Sequence, residues 1–192
     1  MVKSILKPNT SICSSPSINQ TLWQLAEPFE LNKRELLLDA SQPWRHCYWL
    51  QNGFVRMYYL DREGREHNKA FFTEGDLFWP VTERLRTQPV EFYIETITSV
   101  HGFLWSFEDY KQAFSDPLVW YEFSQFWMER LLNGKLQREH DLLQLSASER
   151  YLKLCQQQPG LVSALTDSQL ASYIGITPVS LSRLKKSLTV IK

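Results

Sequence analysis

The sequence predicts an α+β protein with an antiparallel β jelly-roll barrel, a long helix and a C-terminal helix-turn-helix, in that order. Three observations predict this fold. Short apolar runs separated by glycine turns fill residues 18–115, helical apolar spacing fills 116–146, and two short helical patterns joined by a glycine lie within 147–192. Residues 1–17 are rich in Ser, Pro and Asn, so we expect a loose tail there.

The barrel is predicted from β-type runs between Phe29 and Phe107. The runs cover residues 48–50, 54–60, 69–72, 92–97 and 102–106, and turn pairs at 52–53, 63–64 and 75–76 separate them. Many short strands at near-regular spacing are typical of a barrel or a jelly roll. A short amphipathic helix over residues 18–26 is expected to precede them.

The long helix is predicted to begin at Pro117, with Asp116 as its N-cap. No proline interrupts the chain from there to about Leu145, so a continuous helix would be roughly 40 Å long. An aromatic face can cover the barrel while another face of residues 117–145 meets a second copy of the helix. Gly134 and the polar run at 135–140 weaken the far end of the apolar pattern.

A further helix is predicted over residues 148–154, with Ser148 as its N-cap and an end before Pro159. The domain boundary is expected near Ser146.

The two-helix pattern in residues 165–188 is the most specific feature of the chain. Thr166 is suited to cap a first short helix, and Leu170 and Ile174 supply its apolar i, i+4 pair. Gly175 then closes this helix, because glycine readily adopts the left-handed conformation of a tight bend. Thr177 is expected to cap the second helix, with Pro178 at the first helical position.

The second helix has two chemically different sides. Its leucines, at 181, 184 and 188, are expected to pack inward. The opposite side carries the candidate DNA-contacting residues, with Val179, Ser182 and Arg183 facing base pairs and Lys185, Lys186, Thr177 and Ser180 facing phosphates. Arg183 is the strongest candidate, since its guanidinium can bridge two acceptors of a guanine. An ordinary packed helix pair with a solvated basic face remains the alternative.

Composition and charge narrow the range of functions further. The 192 residues are 43% apolar with zero formal net charge, which argues against a general polyanion binder. From Ser148 onward, however, six basic residues accompany two acidic ones, as suits a basic DNA-reading part on an acidic body. No run is long enough for a membrane span or a secretory signal, so a cytoplasmic protein is expected.

Several motifs together resemble one family. Residues 52–59, 64–66 and 71–76 carry its hairpin and glycine-turn pattern, 148–152 its entry helix, and 170–186 its reading-head signature. In this order they resemble the Crp/Fnr family of bacterial transcription regulators. The resemblance spans residues 23–188 and implies double-stranded DNA, a second copy of the chain and RNA polymerase as partners. It also implies that Ser168, Thr177 and Ser180 contact phosphates and that Ser182 and Arg183 form the family's base-reading pair.

The sequence departs from the family pattern at several positions, and these departures limit which family properties the resemblance implies for this chain. The stretches 77–81 and 89–93 lack the phosphate-binding cassette of members that bind a cyclic nucleotide, and Glu91 would repel a cyclic phosphate. Arg84 and Arg86 could replace the missing arginine only in a differently folded loop, so no cyclic AMP binding of the familiar kind is expected. Val179 stands where the family has Glu, so the DNA site should differ at one base pair. Residues 187–192 are too short for the family's β-hairpin wing.

No cofactor is predicted, and no effector is identified. Gly75, Asp76, Trp79, Phe92 and Tyr93 are candidates for an effector pocket that takes an apolar or planar molecule, although such aromatic residues, with Trp105, also suit a barrel core.

The sequence also bears on two other functions. A metal enzyme of the cupin type is disfavoured because the four histidines, at 46, 67, 101 and 140, lack metal-binding spacing. The three cysteines, at 13, 47 and 155, show neither disulfide nor metal spacing, and we expect free thiols. A ligand- or protein-binding module whose helix-turn-helix no longer reads DNA stays open as the alternative function.

Overall fold

The computed structural model describes residues 16–190, and the side chains of residues 20–188. Eight strands form two four-stranded antiparallel sheets. The strands are β1 (Glu27–Leu31), β2 (Leu36–Leu38), β3 (His46–Asn52), β4 (Val55–Leu60), β5 (Glu66–Phe72), β6 (Leu77–Phe78), β7 (Tyr93–Thr96) and β8 (Val100–Ser106). One sheet has the order β1-β8-β3-β6 and the other β2-β7-β4-β5, so strands distant in the sequence become neighbours.

The core of this β region lies between the two sheets. Leu50 and Val100 from the first sheet pack with Val55, Met57 and Ile94 from the second, and all five are buried. The β runs predicted from the sequence correspond to β3, β4, β5, β7 and β8, whereas the short β1, β2 and β6 were not individually predicted. Short strands give too few alternating residues for a periodic signal.

The β3–β4 turn requires glycine. Gly53 has φ +84°, and a Cβ there would lie 2.5 Å from the Ser99 carbonyl oxygen. Gly64 and Gly75 also adopt positive φ, so the three turn pairs recognised in the sequence are turns in the structure.

Three short helices border the sheets: α1 (Pro16–Gln24), α2 (Glu83–Thr87) and α3 (Phe107–Gln112). α1 was expected from residue 18, and its start at Pro16 makes the last two residues of the expected tail helical, because proline suits a first helical turn. The rest of that tail, residues 1–15, lies outside the described residues. α2 and α3, whose N-caps are Thr82 and Ser106, were not predicted from the sequence.

The long helix α4 (Pro117–Gln144) confirms the sequence prediction. The Asp116 side chain accepts a hydrogen bond from the Leu118 N–H and caps the helix. At 1.5 Å per residue the helix is about 42 Å long. Phe123, on the inner side of α4, is buried against Phe114 and Trp79. The same core also contains Trp105.

Four helices complete the chain: α5 (Ala147–Gln157), α6 (Pro159–Ala164), α7 (Asp167–Ile174) and α8 (Pro178–Val190). The N-cap of α5 is Ser146, so the prediction of Ser148 was wrong. Ser146 is preferred because Glu149 stands three residues later, and the two form reciprocal side-chain-to-backbone hydrogen bonds. α6 was not predicted. Among the described residues no helix is both long and apolar enough to cross a membrane.

Candidate functional site

The α7–α8 pair has the local geometry expected from the sequence. Thr166 caps α7 by accepting from the Gln169 N–H, and the Gln169 side chain accepts from the Thr166 N–H. Gly175 ends α7 in the left-handed region at φ +77°. A Cβ at Gly175 would approach Leu142 of α4 at 3.2 Å, so the bend also lies close to the long helix. A short turn then leads into α8.

The start of α8 is fixed by a second cap. The Thr177 hydroxyl oxygen accepts from the Ser180 N–H at 3.1 Å and lies 2.9 Å from the Ser180 hydroxyl. Leu181 is fully buried with Leu170 and Ile174, and Leu184 is buried as well. The leucine side of α8 therefore packs inward, which leaves the opposite side in solvent.

Most of the candidate DNA-contacting residues lie on this solvent side. Val179 is 61% exposed. Ser182, Arg183 and Lys186 are exposed beside it, as are the hydroxyls of Ser168, Thr177 and Ser180. Lys185 differs, because it is half-buried and forms an ion pair with Asp167 of α7. The exposed side chains of the pair thus include one guanidinium, one ammonium and several hydroxyls.

A different face of α7 is docked on strand β5. The Asn68 N–H donates to the Ser172 hydroxyl at 2.9 Å, and that hydroxyl donates to the Glu66 carbonyl at 3.0 Å. The Asn68 side-chain amide donates to the Gln169 carbonyl at 3.3 Å. The α7–α8 pair is therefore held against the β region through α7, and the candidate DNA-contacting residues of α8 remain exposed except for the half-buried Lys185.

Arg138 of α4 joins this contact to the long helix. Its guanidinium donates to the carbonyl oxygens of Tyr173 at 3.0 Å and Asn68 at 3.4 Å. It also lies 4.1 Å from the centroid of the Tyr173 ring, whose other neighbour is Phe71 of β5 at 4.7 Å between centroids. Three parts of the molecule, β5, α4 and α7, meet at this arginine.

A cavity of about 370 Å³ lies next to this junction, between the β region and α4. Its floor is apolar and buried, with Trp44, Phe78, Trp79 and Phe92 among the lining residues. Gly134 and Tyr173 contribute the sides from α4 and α7. A volume of this size and an apolar lining are typical of small-molecule sites.

The expected effector-pocket residues are only partly brought together here. Asp76, Trp79 and Phe92 line the cavity, whereas Gly75 and Tyr93 lie outside its lining. Tyr93 stacks on Tyr58 on the outer side of its sheet, 5.3 Å between ring centroids, because neighbouring strand residues point to opposite faces. Burial raises the pKa of Asp76, against the opposing effect of a hydrogen bond from the Thr73 N–H and the charge of Arg130.

Four cationic side chains at the cavity were not identified from the sequence: Lys69, Arg130, Lys135 and Arg138. Lys69 lies over the Phe92 ring, 4.6 Å from its centroid, and Arg130 lies 5.0 Å from the centroid of Trp127. Burial, together with the positive charges of Lys69 and Arg138, lowers the pKa of Lys135. No sequence motif marks this set, because one member comes from a strand and three from α4.

The segment expected to lack cyclic-phosphate ligands has its own internal contacts. Glu91 is exposed and pairs with Arg84 at 3.3 Å. Arg86 donates to the Pro80 carbonyl at 2.8 Å and lies over the Phe107 ring. Both arginines near this segment are thus engaged with protein groups.

Metal and thiol chemistry find little support in the described part of the chain. No cluster of three or more histidine, cysteine or carboxylate side chains in residues 16–190 could hold a metal ion. Cys47 is buried and Cys155 half-buried, both as free thiols, and Cys13 lies outside the described residues. Burial raises the pKa of the Cys47 thiol well above its usual value, which makes a reactive thiolate unfavourable.

The outer side of α4 carries an apolar stripe, which we define as Leu118, Tyr121, Met128, Leu132, Leu136 and Leu143. At about 100° per residue these six positions fall within an arc of roughly 80°. Leu118 and Leu143, near the two ends, are 71% and 72% exposed. The stripe lies opposite Phe123, whereas the cavity-lining residues of the same helix extend from Arg130, far from the stripe, to Lys135, which borders it.

Comparison with solved structures identifies the fold. FixK2 from Bradyrhizobium japonicum matches with a TM-score of 0.75 and 19% identity over 86% of this chain and 85% of that one. The c-di-GMP responsive global regulator CLP from Xanthomonas campestris matches with a TM-score of 0.69 and 17% identity over 92% of each chain. A chain from Eubacterium rectale assigned to the Crp/Fnr family of transcriptional regulators has a TM-score of 0.73 and 13% identity over 92% of this chain and 84% of its own.

No protein-family profile matches the chain, and no curated protein sequence matches it. The structural matches cover the β region, the long helix and the C-terminal helices together, because they extend over nearly the whole chain. The protein therefore has the fold of Crp/Fnr-type transcription regulators. CLP and the Eubacterium rectale chain are described as regulators, and the likeness of this chain to them is one of fold.

Proposed function

We propose that the chain is a DNA-binding transcription regulator of the Crp/Fnr type that acts as a homodimer on a palindromic site. The observation that carries this proposal is the exposed face of α8. Its base-reading candidates are Val179, Ser182 and Arg183, and its leucines are buried on the opposite side. Because the leucine side of α8 is buried, the helix can place its opposite side in a major groove while its packing against α7 is kept.

The roles within this face follow from its chemistry. Arg183 presents a fork of donors suited to the two acceptors of guanine, with Ser182 beside it. Val179 can contact a thymine methyl but cannot accept from cytosine, so the preferred site differs from the family's at one base pair. Lys186, the partly paired Lys185 and the hydroxyls of Ser168, Thr177 and Ser180 bind the phosphate backbone.

The homodimer is proposed to form through residues 117–145. The apolar stripe on α4 is exposed over the full length of a helix of about 42 Å, and a second copy of the same stripe would cover it symmetrically. Two α8 helices placed by such a dimer would read successive major grooves about 34 Å apart.

The proposed regulator acts in the cytoplasm with RNA polymerase as a further partner, as the family resemblance implies, and does not bind cyclic AMP in the familiar way. Glu91 stands near the position where a cyclic phosphate would need a cation, and the nearby Arg84 is engaged in an ion pair with it, which supports the last point.

Selection from randomised duplex DNA at moderate salt, followed by titration of the enriched site, tests this function. Arg183→Ala should reduce affinity for the enriched site by about 10- to 100-fold while affinity for random duplex changes little. Lys186→Ala should weaken both duplexes similarly and flatten the salt dependence. Arg62→Ala, in the exposed turn between β4 and β5, is the matched control and should change neither.

Equal losses on enriched and random duplex for Arg183→Ala would overturn the base-reading role. If no sequence is enriched and no duplex is retained, the second candidate function stands instead: a ligand- or protein-binding module built around the cavity between the β region and α4.

A further inference from the structure

The ion pair between Asp167 and Lys185 lies at the edge of the candidate DNA-contacting surface. Asp167 is the first residue of α7 and stands next to the exposed Ser168, a candidate phosphate contact. At about 100° per residue, Lys185 lies about 60° around α8 from the exposed Ser182 and about 40° from the buried Leu181. The lysine therefore stands on the border between the buried side and the DNA-facing side of α8.

The carboxylate in this pair is unusual for its part of the chain. Asp167 is the only acidic residue in the stretch 150–192, which is otherwise basic or neutral. Among the described residues no ion pair involves Arg183 or Lys186, whereas Lys185 pairs with Asp167. The single negative charge of this part thus lies on one of the cations expected to bind phosphate.

Stability gives only a weak reason for the pair. A carboxylate in the first turn suits the helix dipole, but the α7 N-terminus already has a reciprocal pair of capping hydrogen bonds. The side chains of Asp167 and Lys185 are 59% and 36% exposed, and ion pairs with such exposure contribute little to folding. The buried apolar side chains between α7 and α8 hold the two helices together without it.

The pair has a direct consequence for binding to a polyanion. A DNA phosphate and the Asp167 carboxylate compete for the same ammonium, so a phosphate contact by Lys185 requires the ion pair to open. This competition does not depend on base sequence, since every base pair carries the same phosphates.

We propose that Asp167 limits the sequence-independent part of DNA binding by this chain, through its ion pair with Lys185. The base contacts of Arg183 are not involved, so the limit applies equally to enriched and random duplex. The inference rests on the regulator function proposed above and assigns to Asp167 a role that no contact with a base supplies.

Asp167→Asn in the full chain tests this role by duplex titration. The variant should bind both the enriched and the random duplex about threefold or more tightly at about 0.1 M salt, with a salt dependence steeper by about one phosphate contact. Glu108→Gln is the matched control, because it removes an exposed first-turn carboxylate from α3 with the same change in net charge. It should bind both duplexes like the unmodified chain.

Unchanged or weaker binding by Asp167→Asn would overturn the inference, and so would an equal gain in Glu108→Gln, which would assign the effect to net charge alone. Lys185→Met then tests the partner. In the Lys185→Met background, the gain from Asp167→Asn should fall by about half or more, because the two side chains act as a pair. A gain of undiminished size would exclude Lys185 as the cause.

Acetylation of lysines by acetic anhydride, followed by peptide mass spectrometry, examines the pair without DNA. In Asp167→Asn the rate at Lys185 should rise about twofold or more relative to Lys186, because the ammonium is no longer held by a carboxylate. An unchanged rate would overturn the inference.

The two proposals fail in different ways. If the unmodified chain retains the enriched duplex but Asp167→Asn brings no gain, only the role of Asp167 is wrong. If no variant retains any duplex, the regulator function is wrong and the role of Asp167 in DNA binding is overturned with it.

Discussion

The two long faces of α4 carry apolar and charged side chains in an arrangement opposite to that of an ordinary surface helix. Usually the apolar face packs inward and the charges point to solvent. Here the side toward the β region carries Arg130, Lys135 and Arg138 at a cavity, beside a packed aromatic end at Phe123. The solvent side carries the apolar stripe.

The two faces therefore differ in what their side chains would favour. An apolar stripe of this length in water favours a second apolar surface, whereas four cations near one carboxylate, Asp76, repel one another. The aromatic end of α4, at Phe123, is already packed against other side chains of the protein. Each of the following substitutions alters one feature of the molecule, and its control should leave the measured property unchanged.

The largest effect is expected for Phe123→Ala on the packed end. Phe123 is buried among Phe114, Trp79 and Trp120, so its removal leaves a large void and should lower the free energy of unfolding by about 3–5 kcal/mol. Urea denaturation of dilute protein measures it. Tyr121→Ala, two residues away on the stripe and 62% exposed, is the control and should cost less than about 1 kcal/mol. Similar losses would mean that the two faces do not differ as described.

The stripe is tested by Leu132→Glu. Placing two carboxylates at a symmetric apolar contact should weaken homodimerisation by about 100-fold or more, because buried charges without partners are unfavourable. Sedimentation equilibrium measures the dissociation constant. Leu152→Glu, at an exposed leucine of α5, should leave it unchanged. A dimer that tolerates Leu132→Glu would exclude the stripe as the interface.

A moderate effect is expected for Arg138→Met on the cationic face. The loss of its hydrogen bonds to the Tyr173 and Asn68 carbonyls should loosen the docking of α7 by about 1–2 kcal/mol. Hydrogen exchange at the Asn68 amide, which donates to Ser172, should become correspondingly faster. Arg130→Met removes a neighbouring cation that lies over Trp127, and should leave this exchange rate unchanged.

A smaller and opposite effect is expected for Gly134→Ala. Alanine favours helix over glycine and its Cβ meets no atom within 4 Å, so the free energy of unfolding should rise by about 0.5–1 kcal/mol. Thermal unfolding measures this. Because Gly134 lies on the cavity side, the dimer dissociation constant should not change; a changed constant would show that the two faces are coupled.

The smallest effect concerns pH. Partial burial opposes ionisation of Asp141, but hydrogen bonds from Lys153, Gln137 and His140 outweigh it and lower its pKa. Its contribution is therefore present above the unfolded-state pKa and is lost as pH falls through the lower folded-state value. Asp141→Asn should remove a contribution of about 0.5 kcal/mol at pH 7 and make stability less dependent on acid. An unchanged acid dependence would exclude the Lys153 pair as its cause.

Much of the local structure was predictable because its causes lie within a few residues. Asp116, Thr166 and Thr177 cap the helices predicted for them, and Gly175 forms the left-handed bend. The exposure of Val179 and Arg183 followed from leucine spacing alone. Ser148 was the wrong cap because Glu149 forms reciprocal hydrogen bonds with Ser146, which place the start of the helix two residues earlier.

Arg56 illustrates what could not be predicted. It is 3% exposed, and its guanidinium binds Glu66 of β5 and Glu95 of β7 while lying over the Tyr58 ring. Burial of an arginine requires such partners. They stand 10 and 39 residues away, and only the pairing of β4 with both neighbours brings them together.

The sequence by itself determined the order of β region, long helix and terminal helix pair, the starts of α4, α7 and α8, and the two sides of α8. Caps, glycine turns and apolar periodicity act between residues that are close together in the chain. Only the tertiary structure decided that α7 docks on β5, that Arg138 joins them to α4, and that four cations surround an aromatic cavity. Those contacts join residues up to 106 positions apart, as in the bond from Ser172 to the Glu66 carbonyl. Their energies depend on distances that no local pattern encodes.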